Sequence, residues 1–275
     1  MLDILKAIIF GIVEGITEWL PISSTGHLII MEELLKLDQG DAFFEMFQVV
    51  IQLGAILAVV VIYFHKLNPF SPKKTQKQKM MTWQIWIKVV IGCVPAGVVG
   101  LLFNDWIDKK LYHWYVVALT LIIYGVLFIV VENYQKDKTP QVTKFSQLTV
   151  PMILIIGVFQ MLALIPGTSR SGATIVGALM IGVSRSVAAE YTFFLAIPVM
   201  FGASLLKLVK FGFNFTAMQA AVLLVGMVVS FAVSIVAIKF LMSYIRKNDF
   251  KVFGYYRIVL GVIVFLFFGI QALLA

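Results

Sequence analysis

Charge is scarce along this chain. Only 13% of its 275 residues are Asp, Glu, Lys or Arg, about half the share that a soluble domain carries. That scarcity excludes a water-soluble fold for the bulk of the protein. Cysteine is scarcer still. The lone Cys93 excludes an internal disulfide framework and a cysteine-rich metal site. The first apolar stretch has no small-residue cleavage site and contains Glu14 and Glu18, so it reads as retained structure rather than a signal peptide. A net charge of +8 is present, yet the positive residues sit in short loops between apolar blocks, where topology signals belong. No nucleic-acid partner is expected.

What the chain does have is apolar sequence: 61% of residues are hydrophobic and the mean hydropathy is +0.98. It arrives in blocks of about 20 residues, the length that crosses a hydrocarbon core. Six blocks read as full spans, at about 43–64, 83–103, 114–131, 186–208, 217–242 and 254–274. Two more regions, about 2–36 and 150–182, are apolar but interrupted. The interruptions run from Leu20 to Gly26 and from Ile165 to Gly172. Each has a proline that stops a helix and small polar residues that can cap the next one. They read as hairpins that enter the membrane and return.

The interrupted regions also match each other. Gly11 to Gly26 and Gly157 to Gly172 align without gaps, setting Glu14 on Gln160, Glu18 on Leu164, Ser23 on Ser169 and Ser24 on Arg170. Three long spans follow each. The fold class expected is therefore an all-α polytopic membrane protein, with six transmembrane helices and two re-entrant helix–loop–helix hairpins. It forms a single membrane domain, 1–275, built as an inverted-topology repeat of units at about 1–135 and 150–275. Twelve lysines and arginines fall on one side of this plan, in the loops around 66–79, 136–144, 185 and 246–251, against six on the other. The basic side is expected in the cytoplasm, which puts both termini and the mouth of the first hairpin outside.

Irregular backbone at membrane depth survives only when buried in protein or lining a wet cavity. Helix starts near His27 and Ala173 would offer free N–H donors and partial positive charge to an anion. Arg170 adds a planar fork of donors that fits phosphate. The loop residues Ser23, Thr25, Gly26, Thr168, Ser169, Ser171 and Gly172 are the candidate phosphate binders. Glu14 and Glu18, spaced i, i+4, share one helix face. Two carboxylates at such a depth need a cation, a proton or water, so they are candidate ligands for a divalent metal or an acid/base pair. A salt bridge to Arg170 that merely joins the hairpins is the simpler alternative. His27 can serve as the base for Ser24, which lies one turn away, although these serines also suit simple helix caps. Glu190 is a candidate secondary residue, interfacial or supporting, and Glu45 holds a similar place in the first half. Lys88, Lys239 and Arg257 read as span-end or snorkelling side chains with no chemistry.

The segment from Glu14 to Leu28, with Glu18, Pro21 and His27 inside it, closely resembles the signature of bacterial undecaprenyl-diphosphate phosphatases of the BacA/UppP type. Pro166 to Gly172 and Ala189 to Pro198 resemble that family too, so the likeness runs along essentially the whole chain. The resemblance implies hydrolysis of undecaprenyl diphosphate to the monophosphate, recycling the lipid carrier for peptidoglycan and giving tolerance of bacitracin. It implies a divalent cation, Mg2+ or Ca2+, and an active site open to the outer face of the bacterial cell membrane. In the mechanism expected, Arg170 and the cation bind diphosphate while Ser24, activated by His27, attacks; direct attack by water is the variant. An inverted-repeat transporter or a flippase for a phosphorylated lipid would share the architecture. The oligomeric state stays open, a homodimer among the options.

Overall fold

The computed structural model describes residues 1–274, with the side chains of Asn104, Asp105 and Asp108 outside that description. Its regular structure is helical: α1 (Leu2–Thr17), α2 (Ser24–Leu35), α3 (Asp41–Ile62), α4 (Phe64–Leu67), α5 (Gln76–Leu111), α6 (Trp114–Gln135), α7 (Val150–Leu162), α8 (Arg170–Met180), α9 (Arg185–Phe211), α10 (Ala217–Tyr244) and α11 (Lys251–Leu274). Six of these, α3, α5, α6, α9, α10 and α11, are long and apolar enough to cross a membrane. They fall on the six blocks expected from hydropathy. This is a multi-pass helical membrane protein.

The interruptions expected in the first and fifth apolar regions are present, but each ends a few residues early. α2 begins at Ser24 and α8 at Arg170, not near His27 and Ala173. The reason is local. Ser23 and Ser169 act as N-caps, each accepting a hydrogen bond at 3.2 Å from the backbone N–H three residues on, that of Gly26 or Gly172. With its cap made at Ser23 or Ser169, each small polar run becomes a first helical turn.

Helices approach closely where side chains vanish. A Cβ on Gly254 of α11 would lie 2.7 Å from the Gly125 carbonyl of α6, and one on Gly125 would meet the Gly254 carbonyl at the same distance. That contact fixes the depth of α11. The largest apolar core joins α3, α5, α8 and α9 beneath the first interruption, where the buried Trp19 sets its ring edge-on to Phe193 at 5.4 Å. At one end of the molecule, Arg185 forks onto the buried Glu132, which also accepts from the Phe250 N–H. At the other end, Asp3 accepts from Gln39 and from the Asp38 N–H.

Candidate active site

The two interruptions meet. Glu18, the C-cap of α1, receives a hydrogen bond from Arg170 Nη2 at 3.0 Å on Oε1 and one from Ser24 Oγ at 3.1 Å on Oε2. Its backbone carbonyl accepts from Ser171 Oγ at 3.1 Å. Arg170 uses its other terminal nitrogen on the Thr192 carbonyl of α9, at 2.8 Å. Side chains 152 residues apart in sequence thus form one chain of guanidinium, carboxylate and hydroxyl. The Arg170 and Glu18 side chains keep only 11% and 10% of their exposure, so the pair is largely withdrawn from water and screened little by salt.

Both caps share an unusual backbone. Ser23 and Ser169 are the non-glycine residues with positive φ among the described residues, at 74° and 68°. L side chains adopt that region at a cost of order 1–3 kcal/mol, and such residues gather at functional sites. The capping bonds take the N–H groups of Gly26 and Gly172. The first two N–H groups of α2 and of α8 have no intrahelical partner and remain for an anion. Gly167, with φ 84°, turns the second interruption against α6, where Thr120 Oγ1 donates to the Pro166 carbonyl at 2.7 Å.

Other expected residues take different places. Glu14 is fully buried one turn below Glu18, and neither of its carboxylate oxygens has a partner. Thr168 Oγ1 and Arg170 Nε are also buried without partners. Thr25 lies half-buried in the first turn of α2. Ser24 and His27, expected to pair across one turn, do not: Ser24 is bonded to Glu18. His27 sets Nδ1 on the Ser23 carbonyl and Nε2 on the Tyr256 hydroxyl, each at 2.7 Å. Glu190 is not drawn into the cluster either. It pairs with Lys66 of the short helix α4 at 2.7 Å, which holds its carboxylate away from Arg170. Glu45, 72% exposed, sits near Lys207.

The clearest correction concerns Arg257. Rather than snorkelling, it is fully buried and donates to the carbonyls of Gly167 and Thr168 at 2.9 Å each and of Pro21 at 3.4 Å. One guanidinium therefore holds both interruptions together. The sequence carries one hint: Arg257 shares a helix face with Gly254 and Gly261, and small residues at such spacing mark a face packed against another helix. Lys88 and Lys239 stay peripheral, Lys88 bonding the loop carbonyls of Phe145 and Ser146.

The two unpartnered oxygens of buried Glu14, one turn from Glu18, have the chemistry that a hard cation such as Mg2+ or Ca2+ takes as ligands. Among the described residues no third His, Cys, Asp or Glu joins them. Mg2+ sites commonly use one or two carboxylates and leave the rest to substrate phosphates and water, so the residues present fit such an ion.

A multi-pass helical membrane protein with a buried polar site suited to an anion is the class that fold and geometry define. More particularly, the chain belongs to the BacA family: the family model described as bacitracin resistance protein BacA matches residues 7–263. It is 60% identical to an undecaprenyl-diphosphatase of Desulfitobacterium hafniense, over 100% of this chain and 99% of the relative. It is 61% identical to an undecaprenyl-diphosphatase of Acetivibrio thermocellus, over 98% of each. A third relative of that name, from Lactiplantibacillus plantarum, is 60% identical over 98% of each chain.

Proposed function

We propose that this protein hydrolyses undecaprenyl diphosphate to undecaprenyl phosphate and phosphate, recycling the lipid carrier used to build peptidoglycan. Removing the diphosphate also confers resistance to bacitracin, which sequesters it. Full-length relatives at about 60% identity carry this activity in their names. Within the molecule, the observation that carries the reading is the buried chain Arg170–Glu18–Ser24. A transporter or flippase has no need of a serine hydroxyl held by a carboxylate beside a guanidinium.

We read α1–α2 and α7–α8 as re-entrant hairpins of two inverted units within one membrane domain. The four helices hold 16, 12, 13 and 11 residues, which gives each less than the roughly 30 Å of a hydrocarbon core. The equivalent caps at Ser23 and Ser169 support the repeat. The contacts around Glu132 and those around Asp3 support two separate faces, the first cytoplasmic and the second, with both termini, outside the bacterial cell membrane.

In the mechanism proposed, Arg170 and the free N–H groups opening α2 and α8 bind the diphosphate and neutralise charge as it develops. Ser24 Oγ attacks the terminal phosphorus while its proton passes to Glu18 Oε2, its present partner. The bond from phosphorus to the bridging oxygen breaks, and undecaprenyl phosphate leaves. Water, deprotonated by His27, then cleaves the phosphoserine, and Ser24 recovers its proton from Glu18. Glu14 and Glu18 would hold a divalent cation, which when bound supplies positive charge against the phosphates. Thr168 and Ser169 end the second loop and Ser171 lies in the first turn of α8, and Thr168 Oγ1 is the hydroxyl among them left without a partner.

The test is phosphate release from a prenyl diphosphate by purified protein in detergent, where no gradient exists. Turnover by the wild type is expected, with loss on Arg170→Ala and Glu18→Ala and a trapped phosphoserine at Ser24. An inactive wild type, with lipid movement in vesicles, would overturn the reading.

A further inference from the structure

We infer that the base of the hydrolytic step is not His27 alone but the pair His27–Tyr256, with the Tyr256 hydroxyl as the group that meets the water. This rests on the reading of His27 as the base and deepens it.

A carbonyl cannot donate a hydrogen bond, so the 2.7 Å contact from His27 Nδ1 to the Ser23 carbonyl puts the ring proton on Nδ1. In a neutral imidazole Nε2 is then the acceptor. It lies 2.7 Å from Tyr256 Oη, so the hydroxyl is the donor there. The two rings are nearly parallel, 15° apart with centroids at 5.6 Å, which leaves the imidazole little freedom to swing away. Its other nitrogen is tied to the N-cap of its own helix. The lone pair of Nε2 is therefore covered, and a proton reaches it only by way of Oη. Tyr256 is 45% exposed, and its oxygen keeps acceptor capacity for a water molecule.

The next residue supplies the aim. Arg257 is anchored to the carbonyls of Pro21, Gly167 and Thr168, so α11 cannot slide without breaking both loops. Tyr256 is thereby held in one register against α2. In the step, water gives a proton to Tyr256 Oη as the tyrosine's own proton moves to Nε2. The hydroxide oxygen bonds to phosphorus and the phosphorus–Oγ bond breaks. Tyrosine ends neutral, and His27 ends as imidazolium, with a proton on each nitrogen, and then gives the one gained on Nε2 to solvent.

The experiment measures kcat and KM for wild type, Tyr256→Phe, His27→Gln and the double variant on a short-chain prenyl diphosphate in detergent. Tyr256→Phe is expected to lower kcat about tenfold to a hundredfold, the scale of a lost proton-transfer partner, with KM within about twofold. On the His27→Gln background the same change should cost less than about twofold, since two groups acting as one unit are not additive. Wild-type kcat in Tyr256→Phe, or equal losses on both backgrounds, would overturn the pairing. Wild-type turnover in His27→Gln would instead remove His27 as the base. Where His27→Gln is too slow to measure, 15N-histidine spectra decide. The His27 Nε2 resonance should move in Tyr256→Phe, and an unmoved one refutes the pairing.

Discussion

Ser23 and Ser169 each carry two burdens, a left-handed backbone and a capping bond, and substitution can separate them. Glycine adopts φ near 70° without strain and loses only the cap, at a cost of a few tenths of a kcal/mol. Alanine loses the cap and keeps the strain. Ser23→Ala should therefore lower the melting temperature in detergent more than Ser23→Gly, by about 1–2 kcal/mol in stability. At Arg170 the geometry of the fork matters as well as the charge, because it spans Glu18 and the Thr192 carbonyl at once. Arg170→Lys keeps the charge but not both bonds, so kcat should fall by about a hundredfold. Arg257→Met would leave three buried carbonyls short of a donor. We expect about 2–3 kcal/mol of lost stability, read as a lower melting temperature, and impaired turnover with it.

At the scale of elements, the site depends on how closely α11 lies against α6. Both the Gly125 and Gly254 positions meet the opposite carbonyl at 2.7 Å if a Cβ is added. Gly254→Val would push α11 outward and carry Tyr256 and Arg257 with it. Overpacking of this kind costs about 1–3 kcal/mol, and here kcat should fall together with the melting temperature, although Gly254 touches neither loop. The shortness of α1, α2, α7 and α8 is equally part of the design. Helices that stop this early leave backbone carbonyls without helical partners, and Arg257 and Thr120 donate to those of Gly167 and Pro166.

For the molecule as a whole, orientation can be tested with thiols, since Cys93 is the single native cysteine. On a Cys93→Ser background, Asp38→Cys and Asn214→Cys should react with a membrane-impermeant reagent in intact cells. Thr139→Cys and Asn248→Cys should react only after permeabilisation. Labelling of all four in intact cells would refute the proposed sidedness. Much of this architecture was readable beforehand, because hydropathy and helix-stopping prolines are local properties. The spans follow from runs of apolar residues, the interruptions from Pro21 and Pro166 with their capping serines, and the polar residues Glu14, Glu18 and Arg170 stand out against the apolar sequence around them. Pairing is another matter. That Ser24 turns to Glu18 and not to His27, that Glu190 answers to Lys66, and that Arg257 binds carbonyls up to 236 residues away depend on packing between distant segments. Only the tertiary structure decides these, since a side chain's partner is set by which backbones approach it, and the glycine contacts that bring α11 against α6 are made in space rather than along the chain.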